Sequence, residues 1–291
     1  MKEILILSSK NYPNSESINY GDCILINTGF ELVIYDCGSE SHADKVIDYM
    51  NKNNFDSAKL ILSHNDSDHF DGINKLLKEK KLTEIRTTLL LKYKDDILER
   101  IDDKRKTRDS VSRHIIELYN NISKLSGANL VDIYENTNPL NTEVSIVGPD
   151  KDYMLDTVAK RLDGREGDTM DGETAVNATS IQVKIKIDDY TLLLCGDCSY
   201  AAIEDKIYDY DAVQLPHHGK QKQAEKIFLK KSDQFNTIYI VSDNTGNTNG
   251  GSDNLNTRGH RVLNTKNSPD ICITSSSFNL SKVKTGKTLG K

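Results

Sequence analysis

The 291-residue sequence lacks the long apolar runs of a membrane protein, because no segment approaches the roughly 18 apolar residues of a spanning helix. The opening stretch "MKEILILSSK" has too short an apolar run for the core of a signal peptide. Cysteine is scarce, and the five residues are an odd number spread over a long chain, which favours reduced thiols over a disulfide framework. We therefore expect a cytoplasmic protein that does not associate with a membrane.

The sequence also lacks an excess of positive charge. Its 38 Lys and Arg residues are outnumbered by 44 Asp and Glu residues, which gives a formal net charge of −6. The negative electrostatic field of such a protein does not attract polyanions to its surface as a whole. Any contact with a nucleic acid must be local. The basic stretch "KQKQAEKIFLKK" is a candidate for that contact, although an exposed amphipathic helix explains it equally well.

Strand-like and helix-like segments alternate along the chain. The runs "CILIN" and "ELVIYD" flank a turn at Gly29 and predict a hairpin. The segment "HADKVIDYMNKN" then has apolar residues at helical spacing, and "AKLILS" predicts a strand buried on both faces. Later strand-like segments include "VSIVG", "SIQVKIKID", "YTLLLCGD", "DAVQLP" and "TIYIVSD". This alternation predicts layered α/β packing.

Two segments interrupt the alternation. From Lys92 to Arg108 charges of both signs crowd together, and apolar residues then recur at helical spacing up to Gly127, which predicts a helical insertion over about 92–127. Mixed charge is more typical of a solvated helical face than of a binding surface, but the insertion is a candidate surface for a protein partner. The second segment, "DGREGDTMDGETAVN", is rich in Gly and Asp and predicts a mobile loop.

The stretch "LILSHNDSDHFDG" places two histidines and three aspartates directly after an apolar run. His64 and Asp66 are two residues apart, so their side chains point the same way in an extended chain. Asp68 and His69 stand at the turn into the next helix. A buried strand with this ending carries too many ionisable groups to leave unpaired without a cation. An acidic turn with Asp71 as a helix N-cap explains the aspartates but not the histidines.

Two later strands also end in metal-ligand residue types. "LLLCGDCS" ends with Gly196 and Asp197, where the small residue allows the carboxylate to approach an ion closely. "AVQLPHHGK" ends with His217 and His218. Because layered α/β proteins place their sites at strand ends, the three motifs together predict a metal site. "CGDC" is also formally a C-x-x-C redox pair, but the carboxylate inside it disfavours that interpretation.

These motifs resemble those of the metallo-β-lactamase superfamily and, within it, the branch typified by the hydrolase domain of the competence protein ComEC. The superfamily's H-x-[HD]-x-D-H motif matches His64, Asp66, Asp68 and His69, its metal-bridging aspartate matches Asp197, and its late histidine motif matches "LPHHG". The branch motifs match "YGDCILI" with Asp22, "VIYDCG" with the structural aspartate Asp36, and "NATSIQVKI". The resemblance covers about 20–275 and implies one four-layer αββα domain over residues 1–291.

The resemblance also implies a two-metal site with Zn²⁺ or Mn²⁺, in which a hydroxide that bridges the metals is the nucleophile. The implied metal ligands are His64, Asp66, Asp68, His69, Asp197 and His218. Asp68 is in addition a candidate catalytic residue. The many carboxylate ligands make Mn²⁺ a competitor of Zn²⁺.

The chain departs from the superfamily pattern at one corner of the implied site. His114, in the predicted insertion, is the only histidine between the first motif and Asp197, so Asn177 or solvent is an alternative ligand there. By the same pattern His218 is the ligand and His217 a supporting or substrate-facing residue. Asn177 and Lys220 are further candidate substrate contacts. His260, in "TRGHRV", is a candidate substrate contact or proton donor.

The resemblance favours a phosphodiesterase or nuclease that acts on a nucleic acid or nucleotide. One alternative is hydrolysis of a small ester, lactone or amide, which a narrow apolar pocket in place of an open basic groove would favour. Another is a catalytically weak sensor or scaffold of the same fold that binds a nucleotide or a partner protein. Purified protein without bound metal would favour this last interpretation.

Overall fold

A computed structural model describes residues 2–125, 129–135, 139–164, 171–247 and 251–281 of the chain. The strands in these ranges are β1 Glu3–Ile6, β2 Ile24–Asn27, β3 Leu32–Tyr35, β4 Ala58–Ile61, β5 Leu82–Thr87, β6 Leu130–Asp132, β7 Val144–Gly148, β8 Gln182–Ile187, β9 Tyr190–Leu194, β10 Ala212–Gln214, β11 Ile238–Val241, β12 Arg261–Asn264 and β13 Ile271–Ile273. The α-helices are α1 Glu40–Asn53, α2 Ser67–Phe70, α3 Ile73–Lys78, α4 Lys94–Glu99, α5 Arg108–Leu118, α6 Lys151–Leu162, α7 Ala175–Ala178, α8 Pro216–Gly219 and α9 Gln221–Lys230. None of the helices in the described ranges combines the length and apolar character needed to cross a membrane.

The strands form two mixed sheets that pack face to face. The first sheet has the order β13-β1-β2-β3-β4-β5-β6, and the second has the order β12-β11-β10-β9-β8-β7. From β3 to β6 and from β9 to β12 neighbouring strands are parallel, whereas the remaining pairs are antiparallel. Helices α1, α2 and α3 cover the outer face of the first sheet, and α9 covers that of the second. The predicted αββα sandwich is confirmed.

Alternate residues of each central strand belong to different layers of the core. Ile24 and Ile26 of β2 face the second sheet, while Leu25 between them packs against the helices. Tyr239 of β11 likewise packs against α9. Each such buried side chain contributes roughly 1.5–3 kcal/mol to the free energy of unfolding. The apolar residues within the strands therefore supply most of the stability. Substitutions of polar residues beyond the strand ends leave this core intact.

The predicted insertion is helical but divided. Helices α4 and α5 pack against α6 around Ile97, Val111 and Val158. The amphipathic helix ends at Leu118, earlier than predicted, and Gly127 lies outside the described residues. The physical reason is a tertiary contact, because the backbone N–H groups of Asn121 and Ile122 donate to Asn65 Oδ1 at 3.0 and 3.1 Å. This contact diverts the chain into a 3₁₀ turn and seats the insertion on the loop that follows β4.

A very close backbone approach fixes the segment 64–71, which we call the Asp68 loop. A Cβ atom at Gly21 would lie 1.8 Å from the carbonyl oxygen of Asp68, and one at Gly38 would lie 2.0 Å from the same atom. Gly21 also has a φ of 68°, in the left-handed region that glycine adopts most readily. The backbone N–H of Asp22 donates to this carbonyl at 2.9 Å. Glycine at position 21 therefore allows the start of β2 to contact the Asp68 loop.

We expect Gly21→Ala to destabilise the protein more than Gly29→Ala. Both glycines are left-handed, with φ of 68° and 91°, but a Cβ at Gly29 meets no atom within 4 Å. Both substitutions should cost roughly 1–2 kcal/mol for the backbone conformation. Gly21→Ala should cost about 1–3 kcal/mol more through the clash with Asp68. Urea unfolding followed by circular dichroism measures the difference, and equal losses would contradict the account of this contact.

Candidate metal centre

The carboxyl ends of parallel strands from both sheets meet at one edge of the sandwich. His69 lies in the Asp68 loop after β4, Asp197 follows β9 and His218 follows β10. Asp22 reaches the same edge from the start of β2, because β2 is antiparallel to β3. These four side chains are buried, and each offers a ligand atom within 4.8 Å of the others. We call them the Asp197 cluster.

Asp197 lies between the histidines of the cluster. Its Oδ1 is 3.4 Å from His69 Nε2, and its Oδ2 is 3.8 Å from His218 Nε2 and 3.9 Å from His217 Nε2. The preceding Gly196 has a φ of 52°, and a Cβ there would lie 3.0 Å from the Cβ of Ser63. The small residue thus lets the end of β9 approach the end of β4, which brings carboxylate and imidazole groups together.

Two further aspartates flank His218. Asp68 Oδ2 is 3.2 Å from His218 Nε2, and Asp22 Oδ1 is 3.2 Å from His218 Nδ1. The other oxygen of Asp22 accepts a hydrogen bond from Gln214 Nε2 at 3.2 Å. The sequence motif that contains Asp22 resembles the ComEC branch but gives this residue no ligand role. Its place in the cluster follows from strand pairing, which the local motif does not specify.

Four histidines at this edge are each held at Nδ1. The partners are the Asp36 carboxylate for His69 at 2.8 Å, the Ser63 hydroxyl for His64 at 2.9 Å, the Ser242 carbonyl for His218 at 3.0 Å and the Glu173 carboxylate for His217 at 2.6 Å. Carboxylate and carbonyl oxygens can only accept a hydrogen bond, so Nδ1 of His69, His217 and His218 carries a proton and Nε2 is the nitrogen that would bind an ion. This pattern is typical of metal-binding histidines.

Buried atoms that lack a hydrogen-bond partner among the described residues are concentrated here. They include Asp22 Oδ1, His64 Nε2, His69 Nε2 and Asp197 Oδ1. A buried polar atom without a partner costs roughly 1–3 kcal/mol. Carboxylate oxygen and imidazole nitrogen are the atoms that Mn²⁺ and Zn²⁺ bind in proteins. The donor set therefore fits divalent metal ions.

The site also concentrates charge in a buried space. Burial acts against ionisation of Asp197 and Asp68, yet the neighbouring His218 and His69 hold the pKa of both carboxyls well below the usual range. Burial likewise acts against protonation of His69 and His218, yet the Asp197 carboxylate raises the pKa of both imidazoles well above the usual value. Positive charge, as protons or as bound metal, is thus required to balance the carboxylates.

His64 and Asp66 form a second group beside the Asp197 cluster. His64 Nε2 is 3.6 Å from Asp66 Oδ2, and the His64 ring lies 4.1 Å from the His69 ring between centroids. The Asp66 side chain is 45% exposed, so this group faces solvent more than the cluster does. The six ligands implied by the resemblance therefore lie at one edge of the sandwich. Five of them fall in these two adjacent groups and Asp68 lies beside His218, and their roles as ligands stay predictions.

Two predicted substrate contacts are engaged within the protein. Asn177, in α7, accepts a hydrogen bond from the Thr174 hydroxyl at 2.9 Å through Oδ1. Lys220 Nζ lies 2.9 Å from Glu173 Oε1. The ammonium of Lys220 therefore already has a carboxylate partner, which weakens its predicted role as a substrate contact.

The structure does not bring His260 to the cluster. It precedes β12, which is parallel to β11, so it lies at the opposite end of the second sheet from His218. Its ring stacks on that of Phe228 with centroids 4.6 Å apart and meets the Tyr239 ring edge-on. The direction of β12 thus argues against the predicted role of His260 as a proton donor, because the length of this four-residue strand, about 13 Å, lies between His260 and the end of the sheet that carries the cluster.

Glu173 is a candidate functional residue that the sequence analysis missed. It belongs to the Gly- and Asp-rich segment predicted as a mobile loop, of which residues 165–170 lie outside the described ranges. Only 1% of Glu173 is exposed, and it contacts His217, Lys220 and Gln223. An acidic residue in a polar segment gives no local signal of such burial, because its partners come from the distant turn and helix after β10.

Comparison with known proteins agrees with the fold. The model of the metallo-β-lactamase superfamily matches residues 18–239. The metallo-β-lactamase fold protein YhfI from Bacillus subtilis is 12% identical, with a TM-score of 0.50 over 94% of this chain and 99% of YhfI. Tm1679, a metal-dependent hydrolase of the β-lactamase superfamily, is 12% identical, with a TM-score of 0.53 over 94% of this chain and 100% of Tm1679. No match is found among curated proteins.

We expect Asp22→Asn to weaken divalent-metal binding by at least about 10-fold, because the carboxylate belongs to the buried cluster. Asp71→Asn is the matched control, since Asp71 carries the same charge in the Asp68 loop but is exposed and outside the cluster. Titration calorimetry of metal-free protein with Mn²⁺ and Zn²⁺ measures both variants. Similar affinities for the two variants would exclude a specific role of Asp22.

Proposed function

Because the chain belongs to the metallo-β-lactamase superfamily, we propose that its histidine and aspartate residues bind two divalent metal ions and catalyse the hydrolysis of a phosphodiester. The observation that carries this proposal is the adjacency of two ligand groups, His64 with Asp66 and the Asp197 cluster. Two neighbouring ions suit displacement at phosphorus, since they balance charge on both the attacking and the leaving oxygen.

The chain's own residues prepare the site for this chemistry. When bound, the ions would lower the pKa of a coordinated water and polarise the phosphoryl group. Asp36 orients His69, and the Ser242 carbonyl orients His218, so each imidazole presents Nε2 toward Asp197. The superfamily motif makes Asp197 the residue that would contact both ions, and its two carboxylate oxygens face different histidines, His69 and His218.

The donor set supports Mn²⁺ as well as Zn²⁺. Asp22, Asp68 and Asp197 contribute carboxylate oxygens close to His69 and His218. Carboxylates suit Mn²⁺ and imidazole suits Zn²⁺, so the mixed set can hold either ion. Most of these side chains are buried, so few water molecules can reach the site and compete with them as metal ligands.

The surroundings of the site favour a small phosphodiester or a short oligonucleotide over a long nucleic acid. In the basic stretch 220–231, Lys220 and Lys226 pair with Glu173 and Asp171, and Lys231 is buried. The formal net charge of −6 provides no compensating attraction. Resemblance to the ComEC branch supports a nucleotide or oligonucleotide within this class of substrate.

We expect purified protein, stripped of metal and reloaded with Mn²⁺, Zn²⁺ or Mg²⁺, to hydrolyse phosphodiesters but neither lactones nor β-lactams. The panel contains a generic phosphodiester, a cyclic dinucleotide, a short single-stranded oligonucleotide, a lactone and a β-lactam. Asp68→Asn and His69→Ala should lower turnover at saturating metal by about 100-fold or more, because both remove groups at the metal site. Asp71→Asn in the same loop is the control and should keep wild-type turnover.

Three results would change the proposed function. Lactone or lactam turnover with inert phosphodiesters would favour the small-molecule hydrolase. Metal binding without turnover on any substrate would favour the sensor or scaffold. Wild-type turnover in Asp68→Asn or His69→Ala would contradict the location of the active site.

A further inference from the structure

The turn after β10 has an unusual backbone conformation. His217 and His218 are consecutive, and each has a φ of 52°, in the left-handed region that non-glycine residues seldom adopt. Two such residues in a row are strained, and strain of this kind persists where the surrounding contacts require it. The conformation directs both imidazoles toward the same atom, because their Nε2 atoms lie 3.9 and 3.8 Å from Asp197 Oδ2.

A buried carboxylate holds His217 from the side opposite Asp197. Glu173 Oε2 accepts the His217 Nδ1–H at 2.6 Å. The other oxygen, Oε1, accepts from Gln223 Nε2 at 2.9 Å and lies 2.9 Å from Lys220 Nζ. Partners on both oxygens leave the carboxylate one orientation, and the loop around Glu173 is thereby fixed to the start of α9.

The contact with Glu173 determines which nitrogen of His217 is available to a ligand. A carboxylate engaged by an ammonium, an amide and an imidazole acts as an acceptor toward all three. His217 Nδ1 therefore carries a proton, and Nε2 faces Asp197 and is the nitrogen that would bind an ion. This is the arrangement that the Ser242 carbonyl imposes on His218 and that Asp36 imposes on His69. The two neighbouring histidines thus share a proton on Nδ1 and an Nε2 within 4 Å of Asp197.

We propose that Glu173 is a positioning residue that holds His217 as a metal ligand beside His218 and Asp197. Under this assignment His217 does not serve as the substrate contact that the sequence pattern implied. The inference rests on the metal-binding part of the proposed function and does not depend on a phosphodiester substrate. It predicts that Glu173 affects metal affinity only through His217.

A double-mutant cycle on metal affinity tests the proposal. Metal-free wild type, Glu173→Ala, His217→Ala and the double variant are titrated with Mn²⁺ and with Zn²⁺ by calorimetry. Loss of a carboxylate that orients a metal-binding histidine typically weakens affinity about 10–100-fold, so each single variant should lose affinity by this order. The double variant should bind within about twofold of His217→Ala, because the two residues act as one unit.

Two controls separate positioning from a general structural role. Lys220→Met removes another partner of Glu173 but leaves the contact between Glu173 and His217, so its metal affinity should stay within about threefold of wild type. Circular dichroism in the presence of chelator checks that each variant is folded. If Glu173→Ala does not fold, Glu173→Leu takes its place in the cycle, since it keeps a side chain of similar size but has no atom that can accept the His217 proton.

The outcomes separate this proposal from the proposed function. Unchanged affinity in the Glu173 variant, or losses that add in the double variant, would overturn the positioning role even if phosphodiesters are hydrolysed. Coupled losses in a protein that hydrolyses no phosphodiester would support the positioning role and refute the substrate assignment. Absence of metal binding in the wild type would overturn both.

Discussion

The buried carboxylate of Asp36 is the contact on which the site depends. Its Oδ1 accepts the Ser63 N–H at 2.7 Å, and its Oδ2 accepts both the Ser63 hydroxyl at 2.7 Å and His69 Nδ1–H at 2.8 Å. Since the Ser63 hydroxyl donates to Asp36, its oxygen accepts from His64 Nδ1. One residue after β3 thereby fixes the end of β4 and the directions of two imidazoles.

The sandwich requires apolar packing, whereas the site requires buried charged groups, and the structure keeps the two in different places. The apolar core lies between and outside the sheets, whereas charged groups and strained backbone lie where strands end. Asp36, His217 and His218 have φ of 59°, 52° and 52°, and all three contact the site. Strain at a binding site persists only when the surrounding structure over-determines it. Here the buried strands on either side supply that constraint.

Local patterns predicted the hairpin of β2 and β3, the buried strand β4 and the ligand types after β4, β9 and β10. Each of these signals lies within one short segment. The sequence did not predict the early end of α5, which depends on Asn65, or the burial of Glu173 against α9. It also did not locate His260 relative to the cluster, because the direction of a strand within a sheet depends on its neighbours. Contacts between segments that are distant in the sequence determine the end of α5, the burial of Glu173 and the position of His260.

The central claim is that the Asp197 cluster and the adjacent His64 and Asp66 bind divalent metal. Anomalous diffraction from crystals grown with Mn²⁺, measured on both sides of the manganese absorption edge, tests it most directly. We expect two manganese peaks about 3.5–4 Å apart, with the Asp197 carboxylate within bonding distance of both. Crystals from saturating Mn²⁺ with no peak within bonding distance of Asp197 would contradict it.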